Sequence, residues 1–260
     1  MDWSPGYREF APPAALRPAV YCLWVGVVPA GGAPPTLVLP DACVDLIWQQ
    51  GYGVFVAGPD TGPVPSPNAP GAVFAGVRLR PGAGGPALGM PLSVLLDQRA
   101  DAGDLCAVNP AGPAADLARL LPGSLAPDVA MRRLIRIAHG MTEAGPPDPL
   151  VTETVRRLRR PGVRVERVAA DLGVSERQLR RRCRAAVGYG PATLRRVLRF
   201  RRFVSSVDQI GEAADLARLA AKTGYADQAH LTRESTRLAG LPPAALARVR
   251  HHGLVDNRPK

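Results

Sequence analysis

Between Tyr21 and Arg80, short apolar runs alternate with punctuation rich in Pro and Gly. The runs YCLWVGVV, TLVLP, CVDLIW, GVFVAG and AVFAGVRLR favour Val and aromatics, so they predict strands of a β-sheet or small barrel. The stretch from Gly58 to Gly71, GPDTGPVPSPNAPG, is predicted to be a long exposed loop. After PGAGGPALGMP the period changes. LSVLLDQ, AADLARLL and VAMRRLIRIAHGM space their apolar residues three and four apart, which predicts helices. Leu134, Ile135 and Ala138 mark one face of the last, for packing on the sheet or on a second subunit.

The prolines of AGPPDP, residues 144–149, block both helix and central strand and mark a linker. Everything after it reads helical. The predicted class is therefore α+β. A β-rich domain over residues 1–143, cupin-like or a small barrel with flanking helices, precedes an all-α domain over 150–260.

That second part repeats itself. At an offset of 52 residues, Leu179 aligns with Leu231, Gly188 with Gly240, Pro191 with Pro243, Leu194 with Leu246, Arg196 with Arg248 and Val197 with Val249. VAADLGVS and LAAKTGYA align at 51, so the second copy has one extra residue between its turn and its second helix. A duplicated helical unit explains this order.

Each copy has the layout of a helix-turn-helix: a short helix, a glycine at a turn that needs positive φ, and a second helix. In the first copy Val168, Ala169 and Leu172 face inward, Gly173 makes the turn and Ser175 is the expected N-cap. Leu179, Cys183 and Val187 recur every four residues as core, leaving Arg177, Arg180, Arg181 and Arg184 on the opposite side. In the second copy Gly224 turns the chain, Leu231 and Leu238 face in, and Gln228, His230 and Arg233 face out. Between the copies PATLRRVLRFRRFVSSV predicts one long helix that starts at Pro191, a favoured first position.

Charge gives these faces a partner. Of the formal +11, residues 1–147 hold 9 Arg, no Lys and 11 acidic residues, whereas residues 148–260 hold 24 Arg and Lys against 11 acidic ones. A helical part so basic attracts a polyanion by displacing its counterions. A helix in the major groove of double-stranded DNA reads base edges with one face, Arg pairing with guanine and Gln with adenine, while Ala contacts the thymine methyl. Base contacts are thus expected from Arg177, Arg180, Arg181, Gln228, Ala229, His230 and Arg233. Phosphate contacts are expected from Ser175, Arg182, Arg184, Arg196 and Thr232. The long helix would set the two reading heads about one DNA turn, or ~34 Å, apart.

The segments SERQLRRRCRAAVGYGPATLRR, GYADQAHLTRE and RLAGLPP resemble the DNA-binding domain of the AraC/XylS family of bacterial transcription regulators, over about residues 148–252. The resemblance implies the same two recognition helices and the same base-contacting positions. It departs where a Phe usually closes each recognition-helix core, here Cys183 and Ser235. LPDACVDLIW and AGVRLRPGAGGPALGMPLSVLLD look like a sensor-type domain that often precedes such units. This implies an activator or repressor whose partners are DNA, a small-molecule effector, RNA polymerase if it activates, and a second copy in a homodimer.

Asp41, Asp45, Trp48 and Arg78 are the candidate effector residues, Trp48 offering apolar area and Arg78 a bidentate charge. Each also has a plain structural role open to it, in turns, core or surface. Two other classes compete. A non-specific architectural DNA-binding protein would share the charge but not the mixed Arg, Gln and His faces. A metal-dependent cupin-type enzyme needs imidazole ligands, and the four His at 139, 230, 251 and 252 all lie outside the β-rich region. No enzyme, metal or cofactor is expected. Four Cys without CxxC spacing, and no signal core or apolar stretch of the ~18 to 20 residues that span a membrane, point to a cytoplasmic protein.

Overall fold

The computed structural model describes residues 1–66, 68–210, 215–251 and 255–256. Its main sheet is antiparallel and contains β1 (Gly6–Phe10), β2 (Val20–Val27), β7 (Val73–Leu79), β4 (Val44–Gln49), β5 (Gly53–Ala57) and β8 (Arg99–Asp101), in that spatial order. The β4 sequence VDLIWQ alternates as expected of a strand with one covered face. Val44, Leu46 and Trp48 are buried together, whereas Asp45, Ile47 and Gln49 are only partly covered. The covered face packs under helix α4 (Pro127–Ala144), which contributes Ala130, Met131, Leu134, Ala138 and Met141 to the same core. Ile135 packs at the edge of that core. The helix face read from the sequence thus covers the sheet.

Three sequence readings are corrected here. Gly58 to Gly71 is not a free loop: Val64–Ser66 forms a strand, β6, paired with β3 (Thr36–Val38). Asp60 is buried, with Arg99 donating to both its carboxylate oxygens at 2.9 and 2.8 Å. Paired backbone and a satisfied carboxylate hold in place a stretch whose Pro and Gly content signals a loop. LSVLLDQ forms only a 3-10 turn at Leu92–Leu95, which ends where the backbone of Leu96 is already extended. AADLARLL yields one helical turn, α3 (Leu117–Leu120). Strands β1 and β8 lay outside the runs read as strands.

After α4 the chain crosses residues 145–148 and enters α5 (Pro149–Leu158), whose first amides are capped by the Asp148 carboxylate at 2.9 and 3.4 Å. Then follow α6 (Val165–Asp171), α7 (Glu176–Val187), α8 (Pro191–Ile210), α9 (Leu216–Thr223), α10 (Gln228–Ala239) and α11 (Pro243–His251). Their buried faces form a second core, built on Leu179, Leu194, Val197, Phe200, Phe203, Leu231 and Leu246. A short strand, β9 (Val255–Asp256), lies parallel to β3.

The two cores are joined closely. Leu39 and Ala42, from the sheet part, are buried in the helical core. Helix α1 (Gly84–Leu88) lies against the end of α7 so tightly that a Cβ at Gly85 would collide with the Ala185 carbonyl oxygen. No helix among the described residues is long and apolar enough to cross a membrane.

Candidate nucleic-acid interface

The first unit is built from local rules. Gly173 adopts φ +65°, ending α6, and Ser175 then caps α7 in both directions. Its hydroxyl oxygen accepts from the Gln178 amide at 3.2 Å, and its own amide donates to the Gln178 side chain at 2.9 Å. This capping box satisfies two backbone donors at the helix start and fixes how α7 projects. Leu179, Cys183, Ala186 and Val187 are buried beneath it. Arg177, Arg180, Arg181 and Arg184 are exposed, and none of their side chains forms an ion pair or hydrogen bond among the described residues. Four guanidinium groups on one face of a twelve-residue helix are left for an external anion.

The second unit repeats the design with the shift read from the sequence. Gly224 ends α9 at φ +89°, but the N-cap is Asp227, two residues beyond Tyr225, and its carboxylate accepts from the His230 amide at 2.6 Å. Gly188 and Gly240 both end their helices at positive φ, Pro191 and Pro243 both open the next helix, and Leu194 and Leu246 are both fully buried. Gln228, Ala229 and Arg233 are exposed on α10.

Ser235, where a large apolar side chain was expected, is wholly buried and donates its hydroxyl to the Leu241 carbonyl at 2.8 Å. A hydrogen bond to the turn thus replaces apolar volume in closing this unit. Cys183 is fully buried too, and burial, with Asp148 adding to it, pushes its thiol from 9.0 up to about 12.

The structure distinguishes among the remaining expected contacts. His230 is half-buried, its Nε2 lying 3.3 Å from Arg199 Nη2 and its ring meeting Tyr225 edge-on at 5.3 Å. Arg199 stacks over Tyr225 at 4.5 Å and reaches Glu234 at 3.4 Å; Arg196 reaches the same carboxylate at 3.2 Å. These groups tie α8 to α10, with the half-buried His230 in the seam between them. Sequence reasoning passed over Tyr225 and Glu234, although an aromatic next to a turn glycine was a usable sign. Thr232 donates back to the Gln228 carbonyl at 2.9 Å. Arg182 turns away to Asp148, donating to both oxygens at 2.7 and 2.8 Å.

In the sheet part, Asp45 and Arg78 are cross-strand neighbours on β4 and β7, with Arg78 Nε 3.1 and 3.2 Å from the two carboxylate oxygens. Trp24 donates to Asp45 at 2.7 Å, Glu9 lies 3.4 Å from Arg78, and Asp41 lies 3.9 Å from it. Burial raises the Asp45 carboxyl against the opposing charge of Arg78. Trp48 is not with these three. It is fully buried on the opposite face of β4, donating to the Pro122 carbonyl at 3.0 Å.

Residues 153–248 match the model of a helix-turn-helix domain, and residues 8–101 match that of a domain of unknown function, DUF6597. No curated protein matches the chain. Among solved structures, the chain is similar to ToxT from Vibrio cholerae O395, with 8% identity over 86% of this chain and 95% of that one, at TM-score 0.44. It is also similar to a second crystal form of ToxT from Vibrio cholerae, with 9% identity over 87% and 98% of the chains, at TM-score 0.46.

Proposed function

We propose that this chain, whose residues 153–248 match a helix-turn-helix domain, is a DNA-binding transcription regulator of the AraC type that reads an extended, non-palindromic DNA site with two recognition helices, α7 and α10. The carrying observation is the exposed and unpaired set Arg177, Arg180, Arg181 and Arg184, standing above the buried Leu179, Cys183 and Val187. Arg177, Arg180 and Arg181 contact bases, and Arg184 and Ser175 contact phosphate. On α10, Gln228, Ala229 and Arg233 contact bases, with His230 holding the helix through its seam to Arg199. Arg182 and Arg196 contribute to phosphate attraction from positions where Asp148 and Glu234 already hold them, and Thr232 from the flank of α10. The arginine-dense α7 dominates affinity, and α10 refines specificity.

The sheet part, docked against the end of α7 and against α8, modulates that binding in response to an effector, with Asp41, Asp45 and Arg78 in its polar cluster. A non-catalytic role follows from the same reading. Sequencing the DNA fragments retained by the purified full chain tests it. A shared motif spanning two adjacent major-groove segments is expected, and Arg181→Ala should weaken binding to that motif by ~1–3 kcal/mol and relax one base position. Equal retention of all fragments would mark a non-specific DNA coat.

A further inference from the structure

A cleft of about 400 Å³ opens where the two cores meet. Tyr21 and Asp41 wall it from the sheet part, Arg159 from the end of α5, Arg201 and Arg202 from α8, and Lys222 from the end of α9. Four cationic side chains thus face one carboxylate, and that carboxylate is already engaged. Asp41 lies 3.4 Å from Arg201 and 3.9 Å from Arg78, and accepts from the Cys43 amide at 2.8 Å.

The other cations have no acidic counterpart. Arg202 spends its terminal nitrogens on the uncharged carbonyls of Arg159 and Thr223. The side chains of Arg159 and Lys222 form no hydrogen bond or ion pair among the described residues. Desolvation at the cleft wall, with the like charges of Arg201 and Arg80 added, holds the Arg159 guanidinium below the usual arginine value. An arriving anion would relieve that repulsion. Tyr21 adds a flat wall whose ring lies under both Arg80, at 5.3 Å, and Arg201, at 5.9 Å.

We infer that this cleft binds a small organic oxyanion, a carboxylate or phosphate gripped by Arg159, Arg202 and Lys222 with the rest of the ligand against Tyr21. The volume suits a small ligand, within the roughly 300–1,000 Å³ of such sites. Guanidinium groups grip planar oxyanions with paired hydrogen bonds. Because the ligand touches both cores, its binding would change how the sheet part is held against α8. That consequence rests on the effector role proposed above, whereas the binding itself does not.

The test titrates the full chain with inorganic phosphate and, separately, with succinate, at ionic strength held constant with chloride. Calorimetry and the shift in Tm report binding, since a ligand of the folded state raises Tm by mass action. Saturable binding of at least one anion is expected, weakened tenfold or more in Arg159→Gln and in Lys222→Gln; phosphate alone or succinate alone then identifies the oxyanion. Neither side chain makes a hydrogen bond or ion pair among the described residues, so these variants should keep the fold, which their Tm in chloride checks. Absence of saturable binding for both anions, or equal binding by the unaltered chain and both variants, would overturn the site. DNA affinity measured with and without the saturating anion separates the two readings. Anion binding that leaves DNA affinity unchanged keeps the site and removes the effector role, and sensitivity of DNA affinity to phosphate without cleft binding does the reverse.

Discussion

Asp41 and Arg201 stand 160 positions apart in the chain and meet at 3.4 Å, joining the sheet part to the middle of the long helix α8. The Asp41 carboxylate is largely buried and also faces Arg78, so one side chain connects the buried cluster of the sheet to the helical core. Asp41→Asn retains an acceptor for the Cys43 amide but removes the charge. Urea unfolding at neutral pH should show a loss of roughly 1–3 kcal/mol, the cost of leaving cations underpaired in a partly covered site. An unchanged midpoint would mean that the apolar contacts of Leu39 and Ala42 hold the two parts together unaided.

Gly85 tests the docking of α1 on α7 more directly. A methyl group there meets the backbone oxygen of Ala185, which no rotamer change can move aside. Gly85→Ala should therefore destabilise the chain by about 1–3 kcal/mol. It should also raise amide exchange at the C-terminal end of α7 while leaving the capping box at Ser175 protected. Full retention of exchange protection at Ala185 and Ala186 would contradict the contact.

Ser235 makes a pair of opposed predictions. Ser235→Ala leaves the Leu241 carbonyl without its hydroxyl donor and should lower stability by about 1 kcal/mol. Ser235→Phe restores the residue expected by family resemblance, yet in a fully closed site it should cost more, about 1–3 kcal/mol or above, through overpacking. Thermal unfolding ranks the two, and a Phe variant more stable than the native chain would show that the site can accept the volume.

Cys183 gives a pH signature. Its thiol stays protonated in the folded chain up to about 12, whereas in the unfolded chain it ionises near 9.0. Between those values the folded state holds a proton that the unfolded state has released, so this contribution to stability is full below pH 9 and is lost as pH rises toward 12. Cys183→Ala should flatten that part of the curve of unfolding free energy against pH. A curve of the same steepness would assign the alkaline loss to other groups, Cys22 and Tyr225 among them.

What the sequence determined by itself was everything that depends on neighbours a few positions away. The 52-residue repeat, the turns at Gly173 and Gly224, the cap at Ser175 and the arginine face of α7 follow from helix periodicity and end chemistry, which act within a turn or two. The covered face of α4 was legible for the same reason. Only the tertiary structure could decide where the distant partners fall. It paired β6 with β3 inside an apparent loop. It turned Arg182 toward Asp148 and drew His230 into a seam with Arg199 and Tyr225. It also opened a cationic cleft between residues as far apart as Tyr21 and Lys222. Strand pairing, charge pairing and burial are set by which surfaces meet, and residues brought together across tens to hundreds of positions leave no period in the chain for a reader to find.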